Sequence, residues 1–270
     1  MASWWNDSRR GEHVFHKRTI DLNADVGEAG DAAGVTVERE LLGLVTTAHI
    51  ACGGHTGDEA SMAATVAAAL EHSVRVGAHP SYPDGEAFGR RPMEIDRVEL
   101  HSSLSEQLGA LEQICRAAGT AIESVKAHGA LYEEVAKGGA IYETLRDAVR
   151  DSCGEGVALV LPSGCRAMAM TLRDGVPGCE EGFCDRWYRS DGSLVDRAVP
   201  GAVLSDPKEA AAQALSLARG AVVASDGSVL TRWVDTLCVH GDSPGAVSIA
   251  TAVRQVMADS GIDVIAPAHA

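Results

Sequence analysis

Val157-Ala-Leu-Val-Leu161 is a run of five residues without a polar position. A strand with one wet face alternates apolar and polar residues, whereas one that is apolar throughout fits a parallel sheet covered by helices on both faces. The same unit, a short apolar run followed by a loop and a helix-period stretch, recurs in both directions from it. Upstream, Ile122–Lys126 precedes a helix pattern carrying Leu131, Val135, Tyr142 and Leu145. Val74–Ala78 precedes a long loop and a helix from about Asp96, with Leu104, Leu108, Leu111 and Cys115 on one side. Ala48–Cys52 leads into Met62, Val66, Ala69 and Leu70, and Thr19–Asn23 leads into Val37, Leu41, Leu44 and Val45, both at helical spacing. Downstream come a weaker run closing at Phe183–Cys184 and another at Asp235–Val239, with helix patterns over Pro207–Ala218 and Gly245–Met257. About seven such units predict an α/β fold, a single-domain closed β/α barrel over residues 19–270. An open doubly wound sheet is the alternative.

The composition narrows the function. The chain has 270 residues, with 23 Lys and Arg against 38 Asp and Glu, a net charge of −15 that opposes nucleic acid as the main partner. No window approaches the ~18 consecutive apolar residues that a membrane span needs. Residues 1–18 carry charges and Trp4–Trp5 but no signal-peptide core, and are expected to form a flexible extension. Seven cysteines without a C-x-x-C pair point to a reducing, cytoplasmic setting.

Ligands of such folds bind at the carboxyl ends of the strands. Asn23 and Asp25 stand at the end of the first run, His55 and Asp58 after the second, and His79 after the third. Lys126 and His128 end the fourth, Asp185 and Arg186 the sixth, and His240 and Asp242 the seventh. Four of the ten histidines thus share one rim. Lys126 and His128 are alternate residues, which places an ammonium and an imidazole on the same side. Asp25, His55, His79 and His240 could gather a divalent metal, and metal-free acid/base chemistry by the same groups stays equally open. Cys52 and Cys184 also lie at strand ends; they read more readily as small core residues than as nucleophiles. No P-loop or dinucleotide fingerprint follows a strand.

The runs Ile20-Asp-Leu-Asn-Ala-Asp-Val-Gly-Glu28, Ile50-Ala-Cys-Gly-Gly-His-Thr-Gly-Asp58, Gly77-Ala-His-Pro-Ser-Tyr-Pro-Asp84, Phe88-Gly-Arg-Arg91, Val125-Lys-Ala-His-Gly-Ala-Leu-Tyr132, Asp185-Arg186 and Val239-His-Gly-Asp242 resemble the LamB/YcsF family, from about residue 19 to the C-terminus. That resemblance implies a barrel of the glycoside hydrolase/deacetylase type. It also implies a cytoplasmic 5-oxoprolinase complex with B and C subunits, in which this chain is the A-type component. The complex converts the lactam 5-oxo-L-proline to L-glutamate with ATP as co-substrate and water.

On the implied scheme Asp25 or His55 takes the water's proton and Lys126 and His128 stabilise negative charge. His240 or Asp185 assists departure of the ring nitrogen, and Arg90, Arg91 or Arg186 pairs with the substrate carboxylate. Asn23, Asp58, His79 and Asp242 complete the substrate site. The missing P-loop points to a partner as the ATP-handling component. Gly54, Ala127, Trp187 and His49 depart from the family's usual aromatic, proline, small residue and asparagine, and Trp187 is expected to fill space opened at Gly54. Two other classes stay open: a free-standing metal-dependent deacetylase or amidohydrolase, and a non-catalytic ligand-binding subunit. Homo-oligomerisation is left open with them.

Overall fold

The computed structural model describes residues 19–243 and 245–266. The extension expected over residues 1–18 lies outside them. Seven parallel strands close into a barrel: β1 (Thr19–Val26), β2 (Thr47–Ala51), β3 (Arg75–His79), β4 (Ser124–Val125), β5 (Ala158–Pro162), β6 (Gly178–Phe183) and, after the β7–β8 hairpin (Ala221–Val223 and Val229–Thr231), β9 (Thr236–His240). Pairing of β1 with β9 shuts the ring, with Asn23 beside Cys238 and Asp25 beside His240. A short β10 (Asp263–Val264) pairs with the start of β1. The expected closed barrel is therefore the architecture found, and the open sheet is not.

Helices α1 (Ala32–Leu42), α2 (Glu59–Glu71), α3 (Arg97–Ala117), α4 (Gly129–Ala136), α5 (Ala140–Cys153), α6 (Arg166–Asp174), α7 (Pro207–Ala218) and α8 (Ala246–Asp259) follow the strands. The predicted face of α3 is fully buried at Leu104, Leu108, Leu111 and Cys115. Truncating any of these leucines to alanine costs roughly 2–5 kcal/mol in such a core. The helix pattern read from Leu131 to Leu145 is two helices, separated at Gly138 and Gly139, both of which have positive φ. Val37 and Leu70, placed on buried faces by spacing, are exposed. Among the described residues no helix is long and apolar enough to cross a membrane.

Outward-facing positions of β1 (Ile20, Leu22, Ala24, Val26) meet the helices through the apolar core. The alternate positions, Asp21, Asn23 and Asp25, are buried too and turn inward. Asp21 accepts hydrogen bonds from Thr46 and Thr47, each at 2.7 Å, and from Thr236. Burial raises its carboxyl above the usual range despite these donors. The barrel interior is thus polar on β1, and that polarity continues upward into the mouth.

Candidate active site

The mouth opens into a cavity of about 880 Å³. Its floor is a buried charge cluster. Lys126 Nζ stands 2.8 Å from Asp25 Oδ1 and 2.9 Å from Glu181 Oε1. Asn23 Nδ2 donates to Glu181 Oε1 at 3.0 Å, and Tyr132 donates to Glu181 Oε2 at 2.6 Å. Burial works against the Lys126 ammonium, but Asp25 and Glu181 outweigh it and keep the group charged. Burial would likewise raise Asp25, yet His79, Lys126 and His240 hold it well below the usual carboxylate range.

A second cluster gathers three histidines around Glu28. His55 Nε2 lies 2.8 Å and His128 Nδ1 3.2 Å from Glu28 Oε1, with His79 Nε2 at 3.7 Å. The His55 and His128 rings stack at 3.7 Å. The loop carrying Glu28 is fixed from α1, where Glu38 accepts the backbone N–H groups of Gly27, Glu28 and Ala29 at 2.9–3.0 Å. Gly129 allows the opposite loop to close in: its φ is +55°, and a Cβ there would lie 2.5 Å from the Gly89 carbonyl. Burial lowers His55, and it lowers His79 to about 3, so these rings stay neutral. Despite burial, the neighbouring His128 and His55 rings hold Glu28 far below the carboxylate norm.

On the far side, His240 Nδ1 lies 2.8 Å from Asp185 Oδ1, and Asp185 Oδ2 accepts from Ser243 Oγ at 2.7 Å. Asp185 is fully buried and its carboxyl lowered, because His240 and Ser243 outweigh desolvation. His240 lines the cavity and stacks on Phe183 at 5.5 Å. At the rim, Asp242 is shared by Arg90 at 2.7 Å and Arg197 at 2.8 Å. Arg186 Nη2 donates to the Val195 carbonyl at 2.6 Å, while its buried Nε has no partner among the described residues.

Asp25, His79, Lys126, His128, His240, Arg90, Arg186 and Asp242 all line this cavity. Three other expected residues support it from behind: Asn23 holds Glu181, His55 holds Glu28, and Asp185 holds His240. His55 Nε2 is turned to Glu28, and His55 is outside the cavity lining. Asp58 lies outside the cavity lining: it is exposed and caps α2, accepting the Ser61 N–H at 2.8 Å while Ser61 Oγ accepts from the Asp58 N–H. Arg91 is exposed and outside the lining. The space beside Gly54 is not filled by Trp187; a Cβ there would meet Gln107 Oε1 at 2.3 Å and Ser81 Oγ at 2.5 Å. Gln107, which bonds both backbone groups of Ser81, therefore occupies the room an aromatic would need. Cys52 and Cys184 are buried, and burial pushes Cys52 up to about 12 and Cys184 well above the thiol norm, so neither is poised as a nucleophile.

Sequence reasoning missed Glu28 as the hub of the histidines, and Glu181 and Tyr132 at the floor. Glu181 carried a readable signal, since it is two residues before Phe183 and shares its inward face. Among the described residues two groups have metal-ligand spacing: Glu28, His79 and His128, and Asp25, Cys238 and His240.

The family model for LamB/YcsF matches residues 20–270. The A-type subunit of 5-oxoprolinase from Methylococcus capsulatus is 45% identical over 250 residues, which cover 92% of this chain and 96% of the relative. Its counterpart from Cutibacterium acnes is 41% identical, covering 93% and 99%. The crystal structure of a lactam utilization protein from Thermus thermophilus superposes with a TM-score of 0.84 at 36% identity, covering 92% of this chain and all (100%) of that one. The chain belongs to the LamB/YcsF family.

Proposed function

We propose that the chain is the A-type component of an ATP-dependent 5-oxoprolinase, working with B and C partners, and that its cavity opens the lactam of 5-oxo-L-proline to L-glutamate. The observation that carries this reading is the Asp185–His240 pair at 2.8 Å, set beside the buried Lys126 on one cavity. The family's named relatives supply the substrate.

A five-membered lactam is resonance-stabilised and its ring favours closure, so water alone attacks it slowly. Transfer of the γ-phosphoryl group of ATP to the amide oxygen releases ADP and leaves an electrophilic carbon. Water adds there and loses a proton, the C–N bond breaks with proton delivery to nitrogen, and a second water cleaves the resulting acyl phosphate to glutamate and phosphate. His240, oriented by Asp185, takes the water's proton and returns it to the ring nitrogen. Lys126 balances the negative charge that develops at the carbon's oxygens. Arg186, which lines the cavity, pairs with the substrate carboxylate. The phosphoryl donor is held by a partner.

The test mixes this chain with its B- and C-type partners and 5-oxoproline, with and without ATP. Glutamate and phosphate formed in equal amounts only in the complete mixture support the reading. Glutamate formed by the chain alone without ATP overturns it in favour of a self-sufficient amidohydrolase.

A further inference from the structure

Four potential ligand atoms converge at the edge of the cavity, one of which, Glu28 Oε1, is also reached by His55 Nε2 at 2.8 Å. His79 Nδ1 lies 2.7 Å from the Lys126 carbonyl, and His128 Nε2 lies 2.9 Å from the Phe88 carbonyl. A carbonyl only accepts, so these two ring nitrogens carry the hydrogens, and His79 Nε2 and His128 Nδ1 are the ring atoms offered to a ligand. The two face each other at 3.0 Å. Glu28 Oε1 stands 3.2 Å from one and 3.7 Å from the other, and Asp25 Oδ2 stands 3.5 Å from His79 Nε2. A single proton serves only the contacts of the atom that carries it.

A cation set among Glu28, His79 and His128 takes up the three contacts between them. Bonds of about 2.1 Å at angles between square and tetrahedral separate neighbouring ligand atoms by about 3.0–3.4 Å, close to the spacings found. Histidines that bind metals typically donate their other N–H to a backbone carbonyl or carboxylate, which fixes the ring; both rings do so here. His55 Nε2, 2.8 Å from Glu28 Oε1, supplies the corresponding support to the carboxylate.

The second group with metal spacing does not compete. Lys126 Nζ already sits between its members, 2.8 Å from Asp25 Oδ1 and 3.2 Å from Cys238 Sγ. The ammonium fills that place, which leaves Asp25 Oδ2 free to face His79.

We propose that Glu28, His79 and His128 bind one divalent transition-metal ion of the zinc class. Imidazole donors favour such ions over magnesium or calcium. This goes beyond the lactam reading, because ion binding does not depend on which amide enters the cavity. An ion there borders the cavity and provides a Lewis acid at its edge.

The test strips the purified full chain with a chelator, adds Zn²⁺ or Mg²⁺, desalts it, and measures bound metal by atomic emission and affinity by calorimetry. The expected result is about one Zn²⁺ per chain, not displaced by excess Mg²⁺. Glu28→Gln and His128→Ala should each weaken binding at least tenfold, while Cys238→Ala and His240→Ala retain it. Circular dichroism checks each variant's fold; where His128→Ala does not fold, the near-isosteric Glu28→Gln decides. Negligible zinc, unchanged affinity in Glu28→Gln, or loss of zinc in Cys238→Ala or His240→Ala alone overturns the site. The two proposals fail separately: ATP-dependent turnover by a chain that binds no zinc removes the metal and leaves the lactam reading. Stoichiometric zinc on a chain that gives no turnover in the complete mixture does the reverse.

Discussion

Lys126 and Glu181 form a 2.9 Å ion pair across the barrel, with side-chain exposures of 3% and 0%, and the same ammonium also serves Asp25 at 2.8 Å. One buried cation therefore compensates two buried carboxylates. Lys126→Met keeps the length of the side chain but strands both anions, and should destabilise the fold by roughly 3–5 kcal/mol. Urea unfolding of the variant against the parent checks this; an unchanged midpoint would mean that the pair contributes nothing.

Asp185 lies behind the cavity lining, and its hydrogen bond to His240 Nδ1 leaves Nε2 as the nitrogen free of that bond. Asp185→Asn should lower kcat in the assembled complex by roughly 10²–10⁴ and leave KM for 5-oxoproline nearly unchanged. Steady-state kinetics decide: a raised KM at constant kcat would make His240 a binding group and not a proton carrier.

Acid should weaken the fold through buried histidines. His49 is lowered well below its ordinary 6.5, first by burial and then by the charge of Lys126. The unfolded chain therefore binds a proton that the folded one refuses. Stability is full above pH 6.5 and falls as pH drops below it, by up to about 1.4 kcal/mol per pH unit for each such histidine. His49→Asn should flatten the slope between pH 6.5 and 5, while His55 and His79, also lowered, maintain the remainder. Thermal melts across that range, parent against variant, give the two slopes; equal slopes would remove His49 from the account.

Burial and a raised pKa make the strand-end thiols unreactive. Iodoacetamide at pH 7.5 should leave Cys52 and Cys184 unmodified in the folded chain and alkylate both after denaturation, as read by peptide mass mapping. Rapid labelling of Cys184 in the folded chain would reopen cysteine chemistry.

The barrel was legible because each strand's outward face is apolar and its helices repeat at 3.6 residues. The rim was legible because polar residues cluster just after those strands. Other features depended on contacts that local pattern does not carry. Glu28 follows β1 past Gly27, where strand alternation has ended, and its partners His55, His79 and His128 lie 27 or more positions away. Glu181 meets Asn23 from 158 positions away. Asp58 looked like a rim ligand, although Asp58-x-x-Ser61 is also the spacing of a helix cap, and the cap is what formed. The break at Gly138-Gly139 was visible as two breakers in succession, but the apolar positions on either side continued one helical phase.

If the cavity of this chain, and not that of a partner, opens the lactam, turnover depends on His240. The most direct measurement is ATP-dependent glutamate release from 5-oxoproline by the assembled complex, with parent chain or with His240→Ala, after gel filtration has shown equal assembly. The account predicts a loss of at least about 100-fold, the usual contribution of a positioned general acid–base. Full turnover by the assembled variant would contradict it and make the chain a non-catalytic component.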